Sequence, residues 1–246
     1  MHLKLIACEI LFREICFCAA RCRNIVDITF LEKGLHDIGE CKMSAKLQAE
    51  IDKVDAGAYD AIVLGYGLCN NGIRGLHAEI PLVVPRAHDC ITLLLGSKER
   101  YQAYFNAHPG TYFASTGWLE RDKPSMDNEA STTSQLGMNK TYEDYVAEYG
   151  EENAQYFMEV LGDWTRHYDR LAYIDMHIGD FEHYAAETKQ RAKERGWEFE
   201  RIDGSTDLLM RLLDGEWNEE DFLVLEPGRR VIATTDEHVI GAAPAE

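Results

Sequence analysis

The hydrophobic pattern of the chain alternates between short apolar runs and longer segments with helical spacing. Residues 3–7 are apolar and residues 25–31 are rich in β-branched side chains, so both are predicted as strands. Residues 9–22 and 43–54 carry apolar side chains three and four positions apart, as on one face of a helix. Further strands are predicted at 61–64, 81–84, 111–114, 171–175, 198–202 and 222–225, and further helices at 91–105, 141–167, 181–195 and 206–213. This alternation is typical of right-handed βαβ units and parallel sheets.

A polar stretch divides the alternation into two halves. Residues 122–140 include Pro124 and four consecutive Ser or Thr residues, and are predicted as a connection or lid. They would separate an N-terminal α/β domain (1–121) from a C-terminal one (141–228), and the tail at 229–246 is expected to fray. The predicted fold is therefore α/β, with two Rossmann-like parallel-sheet halves and a crevice at the carboxyl ends of the strands.

Composition and charge exclude several classes of function. The 246 residues include 25 Lys and Arg against 43 Asp and Glu, a formal charge of −18. Such a surface repels phosphate backbones and anionic lipids, which argues against nucleic-acid and membrane-surface binding. The longest apolar runs fall far short of the roughly 18 residues of a transmembrane helix, and the N-terminus lacks a secretory signal. We therefore expect a cytoplasmic protein with reduced thiols.

Three cysteines come directly after predicted strands. Cys8 follows the first strand, Cys69 the third and Cys90 the fourth, while His36 follows the second. Because the carboxyl ends of parallel strands meet at one edge of a sheet, we expect these side chains to converge. Thiolate and imidazole ligands suit zinc, and thiolates suit iron–sulfur clusters. The sequence therefore predicts a metal site, with Cys8, Cys69, Cys90 and His36 as ligands.

The segment around the third cysteine holds further candidates. Arg86 is expected to hold an anionic group of a small-molecule substrate. His88 could replace His36 as the fourth ligand or orient a ligand, and Asp89 would fix a histidine tautomer or cap the next helix. Gly67 lies in a glycine-rich stretch whose backbone could approach an anion, although the spacing does not match a dinucleotide-binding fingerprint.

Two other interpretations of the cysteines stay open at this point. Cys90 or Cys69 could be a nucleophile with His88 as its base. Alternatively, the cysteines could be separate buried residues in a structural or regulatory domain, because free Cys behaves as a small apolar side chain. The remaining cysteines, Cys16, Cys18, Cys22 and Cys41, are interpreted as structural.

Several motifs together resemble the DUF1638 family, over most of the chain from Leu3 to about Gly228. They are Cys8-Glu9, the Gly-Leu-His ending at His36, Tyr66-Gly67-Leu68-Cys69, Pro85 to Ile91, Leu95-Gly96-Ser97, Tyr101, Gly110-Thr111-Tyr112 and Gly117-Trp118. The resemblance implies that Cys8, His36, Cys69, Arg86, His88, Asp89 and Cys90 occupy the motif positions of the family. Members of this family resemble companions of anaerobic corrinoid-dependent methyl-transfer systems.

The resemblance and the metal site together suggest a function. We expect a metal-binding protein that acts in small-group (methyl) transfer in corrinoid one-carbon metabolism, with corrinoid methyltransferase components as partners. The alternative is a carrier of an iron–sulfur cluster or corrinoid without catalysis of its own. The best-known corrinoid-binding pattern, Asp-x-His-x-x-Gly, is missed by one residue, because Gly179 comes one position early after Asp175 and His177.

Overall fold

A computed structural model describes residues 1–35, 39–121 and 167–245, with the isolated positions 146, 150 and 151. His36, the predicted connection at 122–140 and nearly all of the predicted helix at 141–167 lie outside the described residues. None of the helices in the described ranges is long and apolar enough to cross a membrane.

The described residues alternate between strands and helices. The strands are β1 (His2–Cys8), β2 (Ile25–Leu31), β3 (Ala61–Gly65), β4 (Leu82–Pro85), β5 (Thr111–Ser115), β6 (Arg170–Asp175), β7 (Glu198–Asp203), β8 (Phe222–Leu225), β9 (Arg229–Ala233) and β10 (Ile240–Pro244). The helices are α1 (Phe12–Ala19), α2 (Glu40–Ile51), α3 (Cys90–Leu95), α4 (Lys98–Ala107), α5 (Thr116–Glu120), α6 (Glu182–Arg195) and α7 (Asp207–Asp214), with a 3₁₀ turn at Glu9–Leu11.

The larger sheet has five strands in the order β2-β1-β3-β4-β8, and all neighbours are parallel except β4 and β8. Side chains of β1 alternate between two apolar clusters: Leu3 and Leu5 pack with α1, α3 and α7 on one face. Ile6 packs with α2, β9 and β10 on the other. Both faces are therefore buried, which explains why β3 and β4 are continuous apolar runs and why Lys4 is the one charged residue of β1.

A second sheet has three parallel strands in the order β5-β6-β7. Helix α6 packs on it through Ala185 and Ala192, in a cluster that includes Tyr173 of β6. Each sheet combines strands from both sides of the 122–140 segment, since β5 pairs with β6 and β4 pairs with β8. The chain is thus an α/β protein with two parallel sheets, one of which carries an antiparallel edge strand.

The region from residue 229 differs from the frayed tail that its composition predicts. Strands β9 and β10 form an antiparallel hairpin, and Val231, Val239 and Ile240 are at most 2% exposed. The hairpin is also joined to the body of the protein, because the amide of Val231 donates to the carbonyl of Leu76 over 2.9 Å. The burial of these three apolar side chains stabilises the segment, although much of the rest of it consists of small residues.

The single helix predicted at 91–105 is two helices. Helix α3 ends at Gly96, whose φ of +81° is a left-handed conformation that favours glycine. Ser97 then caps α4 by accepting a hydrogen bond from the amide of Arg100. The chain therefore turns between two helices at a glycine followed by a serine cap.

Candidate functional site

Three cysteines line one pocket at the carboxyl edge of the larger sheet. Cys8 is the last residue of β1, Cys69 lies in the loop after β3, and Cys90 is the first residue of α3, after β4. All three line a partly open pocket whose empty volume, including its mouth, is about 370 Å³. The strand order thus brings together side chains that are 61 and 21 residues apart in the sequence.

The rest of the pocket wall is mostly apolar. It includes Ile10, Leu35, Met43 and Trp118, with Gly34 and Gly65 completing the backbone lining. Two polar side chains, Tyr66 and Lys33, also line it, and neither was singled out as a site residue by the sequence analysis. Tyr66 could have been predicted as a site residue, because it directly follows β3 and lies between two glycines of the glycine-rich stretch. Trp118 stands among the family motifs, but its place in the pocket could not be predicted, since it follows β5 of the second sheet.

Two neighbouring loops hold the second and third cysteines in place. The amide of Leu68 donates to the carbonyl of Ala87 over 2.7 Å, and the amide of Cys69 donates to that of His88 over 2.8 Å. A side chain at Gly67 would place its Cβ 2.7 Å from the amide nitrogen of Asp89, closer than real contacts allow. Gly67 therefore lets the β3 loop lie directly against the segment that begins α3.

The backbone after β3 is strained. Cys69, Asn70 and Asn71 have φ values of +45°, +56° and +65°, three consecutive left-handed residues without a glycine. Asn tolerates this conformation, whereas Cys adopts it rarely, at a cost of about 1–2 kcal/mol per residue. Such strain persists where the surrounding structure imposes it, and it is common at binding and catalytic sites.

Asp89 caps the helix that carries Cys90. Its carboxylate accepts hydrogen bonds from the amides of Ile91 (3.0 Å) and Thr92 (3.1 Å), and its backbone is extended. The hydroxyl of Tyr101 also donates to this carboxylate over 3.3 Å. Of the two roles predicted for Asp89, the structure shows the helix cap.

Burial keeps the pocket thiols protonated in the metal-free protein. It raises the pKa of Cys8 to about 11 and that of Cys69 to about 12. Burial also raises the pKa of Cys90 well above its ordinary value, and the negative charge of Asp89 adds to the effect for both Cys69 and Cys90. Any cation that takes these groups as thiolates must therefore displace their protons.

Tyr66 presents a buried hydroxyl among these thiols. The residue is 3% exposed, and within the described ranges its hydroxyl has no hydrogen-bond partner of ordinary geometry. Burial raises its pKa, negative charge on Cys8 or Cys69 raises it further, and a contact with the sulfur of Cys8 adds to the effect. A neutral thiol is a weak acceptor, and a buried hydroxyl left unsatisfied costs about 1–3 kcal/mol. This cost would be offset by an occupant of the pocket with an acceptor for the hydroxyl.

Four predicted site residues do not line the pocket: Gly67, Arg86, His88 and Asp89. The guanidinium of Arg86 donates to the backbone carbonyls of Glu219 (2.8 Å), His238 (3.3 Å) and Ile240, so it joins the end of β4 to the last part of the chain. The ring of His88 lies beside that of Tyr101, with 6.3 Å between centroids. His36 lies outside the described residues.

The other cysteines are dispersed. Cys18 is buried in the apolar cluster beneath α1, and Cys22 donates to the carbonyls of Ala19 and Asn24, both over 3.4 Å. Cys16 is partly buried and Cys41 is exposed. Within the part of the chain that the structure describes, no three His, Cys, Asp or Glu side chains are already arranged to hold a metal ion.

Comparison with known proteins gives a family and nothing more specific. No curated protein and no solved structure matches the chain. One family model, described as "Protein of unknown function (DUF1638)", matches residues 30–213, which include Cys69, Cys90 and Tyr66 of the pocket. The match covers well over half of the sequence and confirms the resemblance seen in its motifs. The chain belongs to the DUF1638 family.

Proposed function

We propose that the pocket binds a thiophilic metal centre, a zinc ion or an iron–sulfur cluster, through Cys8, Cys69 and Cys90. One observation carries the proposal: these three cysteines come from three separate segments and line the same pocket. His36 is the proposed fourth ligand. In this interpretation each parallel sheet is a Rossmann-like half, and the site occupies a crevice at the carboxyl ends of the strands.

Two features of the pocket support an occupant of this kind. The left-handed backbone at Cys69 holds one thiol in a conformation that cysteine seldom adopts. The hydroxyl of Tyr66 is buried beside the thiols, where the weakly accepting sulfur of Cys8 is its nearest partner in the described residues. Thiols that line one pocket suit zinc and iron–sulfur centres better than harder cations, which prefer oxygen ligands.

The chemistry follows from the donor set. Zinc, when bound, would supply Lewis acidity and hold a substrate thiol as its thiolate. Cys8, Cys69 and Cys90 would hold the centre through their sulfurs, and the apolar side chains of Trp118, Met43 and Leu35 in the same wall would restrict water around it. Together with the family resemblance, this supports a role in small-group (methyl) transfer linked to corrinoid one-carbon metabolism, with corrinoid methyltransferase components as proposed partners.

One observation favours a second candidate, a carrier or accessory protein without catalysis of its own. Within the described residues, neither histidine nor carboxylate lines the pocket. A site without histidine or carboxylate lacks the commonest general acids and bases, which suits storage or delivery of an iron–sulfur cluster or corrinoid. Covalent catalysis by Cys69 or Cys90 would need His88 as its base. Since His88 does not line the pocket, we do not propose this reaction.

Metal content tests the proposal directly. Protein purified without oxygen should contain zinc or iron by elemental analysis, and a brown colour would identify a thiolate-ligated cluster. The Cys69→Ser variant should lose this metal, since one of three thiolate ligands is removed. The Cys41→Ser variant is the matched control and should keep it, because Cys41 is exposed and away from the pocket. Equal metal content in wild type and Cys69→Ser would contradict the assignment.

A further inference from the structure

Two of the pocket cysteines belong to segments that lie against each other. Cys69 comes from the loop after β3 and Cys90 begins α3, and both are free thiols in the structure. We propose that Cys69 and Cys90 form a disulfide when a neutral peroxide oxidises the metal-free protein, and that this bond switches off metal binding. The pairing itself needs no metal, whereas its regulatory effect rests on the proposed function.

Backbone pairing places the two segments side by side. The amide of Leu68 donates to the carbonyl of Ala87, and that of Cys69 donates to the carbonyl of His88. These bonds continue the contact between β3 and β4 beyond the ends of the strands. Backbones joined in this way lie about 5 Å apart. Because a disulfide joins Cα atoms about 4.4–6.8 Å apart, this spacing suits a cross-link between the two segments.

The sulfur of Cys69 lies beside the backbone of Cys90. Burial raises the pKa of the Cys69 thiol, while hydrogen bonds from the amides of Gly67 and Cys90 partly offset this rise. The amide nitrogen of a cysteine is three bonds from its own sulfur. The hydrogen bond from the amide of Cys90 therefore brings the sulfur of Cys69 close to the second thiol.

The third pocket thiol is less suited to this pairing. Cys8 ends β1, and β3 separates β1 from the strand that leads into Cys90. The pairing of β1 with β3 ends at Gly65, four residues before Cys69. The sulfur of Cys8 instead contacts the hydroxyl of Tyr66. We therefore expect Cys8 to stay reduced when the other two sulfurs join.

The surroundings of the thiols favour a small and neutral oxidant. Besides burial, the negative charges of Glu9 and Asp89 raise the pKa values of the pocket thiols, and the same charges repel an anionic reagent. The pocket is small and only partly open, which suits a molecule of the size of hydrogen peroxide.

Hydrogen peroxide balances the reaction. One sulfur gives up its proton and attacks the peroxide, so that an S–O bond replaces the O–O bond and the first water leaves with that proton. The second sulfur then attacks the first, an S–S bond replaces the S–O bond, and a second water leaves. Two thiols and one peroxide thus give one disulfide and two waters.

The disulfide would remove two of the three sulfur ligands of the proposed metal site. Metals bind cysteine as the thiolate, and a disulfide sulfur carries no such charge. A bound metal would in turn protect the pair, because a ligated sulfur is not free to attack the oxidant. Oxidation and metal binding at this pocket are therefore mutually exclusive.

Peptide mapping tests the pairing. Reduced, chelator-treated full-length protein is exposed to hydrogen peroxide, catalase is added, the remaining thiols are alkylated in urea, and the chain is digested with trypsin. Trypsin cuts at two arginines between the two cysteines, so Cys69 lies on peptide 54–74 and Cys90 on peptide 87–98. We expect these two peptides joined, at least about tenfold more abundant than any other joined pair of cysteine peptides.

Two variants and one condition serve as controls. Cys41→Ser should give the same joined pair, because Cys41 is exposed and away from the pocket. Cys8→Ser should also give it, because the third thiol takes no part in the bond. Wild-type protein oxidised in urea should lose the preference, since the unfolded chain no longer holds the two segments together.

Zinc binding tests the regulatory effect. Zinc affinity is measured on the reduced protein, after oxidation, and after a phosphine has reduced the disulfide again. We expect the oxidised form to bind zinc at least about tenfold more weakly, and reduction to restore the affinity. Equal zinc affinity in the reduced and oxidised forms would overturn the switch.

The pairing is overturned if a bond to Cys8 is the main product, or if the folded protein gives the same mixture as the urea-unfolded chain. These outcomes differ from those of the metal experiment. Protein that joins Cys69 to Cys90 but takes up no zinc or iron in either state supports the pairing and contradicts the metal proposal.

Discussion

Glu14 of α1 is a carboxyl group buried in an apolar region. It is 1% exposed, and its Oε2 atom has no hydrogen-bond partner among the described residues. Burial raises the pKa of Glu14 to about 7 from an ordinary value of 4.5, and the negative charge of Glu120 adds to this effect. The folded protein therefore prefers Glu14 in its neutral, protonated form.

This preference predicts a loss of stability as the pH rises. Between pH 4.5 and 7 the folded state keeps the proton that the unfolded chain releases, so unfolding becomes easier until the carboxyl is ionised in both states. The Glu14→Gln variant, which is neutral at every pH, should lack this contribution. Comparing urea unfolding at pH 5 and pH 8, we expect the wild type to lose about 2 kcal/mol more of its free energy of unfolding than Glu14→Gln.

The exposed Glu226 supplies the control for this experiment. Replacing it by Gln should leave the pH dependence of the wild type intact. If Glu14→Gln and the wild type lose the same free energy of unfolding between pH 5 and pH 8, the raised pKa of Glu14 is refuted.

At the scale of elements, the position of Cys69 depends on the contact between the loops that follow β3 and β4. A Cβ at Gly67 would lie 2.7 Å from the amide nitrogen of Asp89 and 2.8 Å from the carbonyl oxygen of Ala87, and both are backbone atoms with little freedom to move. The Gly67→Ala variant should therefore separate the two loops. We expect a loss of about 1–3 kcal/mol in chemical denaturation.

Gly57→Ala is the matched control for that substitution. The nearest atom to a Cβ at Gly57 is 3.4 Å away, an ordinary contact, so its stability should change by less than about 1 kcal/mol. Equal stabilities of Gly67→Ala and Gly57→Ala would show that the loops do not need the close approach.

Strands and pocket cysteines could be predicted from the sequence because both depend on local apolar runs and their order. β3 and β4 are uninterrupted apolar segments and β1 is mainly apolar apart from His2 and Lys4, so the ends of these strands were predicted within a residue or two. The role of Tyr66 was not predictable in this way. What distinguishes it is a hydroxyl without a partner, a property of the surroundings rather than of the sequence.

Long-range contacts account for the remaining differences between the predictions from the sequence and the structure. Arg86 stands among motif residues, yet its guanidinium donates to carbonyls 133 to 154 positions further along the chain. Likewise, the antiparallel pairing of β4 with β8 could not be predicted from the order of these two strands along the chain. Periodicity identifies elements, whereas the partners of an edge strand depend on the whole fold.

At the scale of the whole molecule, the β9–β10 hairpin covers one face of the larger sheet. Ile240 is fully buried in the cluster that contains Leu76 and Ile62. The Ile240→Ala variant should therefore lose about 2–4 kcal/mol of its free energy of unfolding, measured in urea. Ile25→Ala should cost much less, because Ile25 is 67% exposed. If the segment after residue 229 were frayed, Ile240→Ala would instead change the free energy of unfolding as little as Ile25→Ala does.

The bonds of Arg86 have a consequence for the timing of assembly during protein synthesis. All the cysteines are translated within the first 90 positions, but the segment that leads into Cys90 is secured by carbonyls of Glu219, His238 and Ile240. A ribosome adding about 5–20 residues per second needs about 8–30 more seconds to reach Ile240. The nascent chain thus carries its thiols before the bonds of Arg86 can form, so the segment that leads into Cys90 is secured only after translation has passed residue 240.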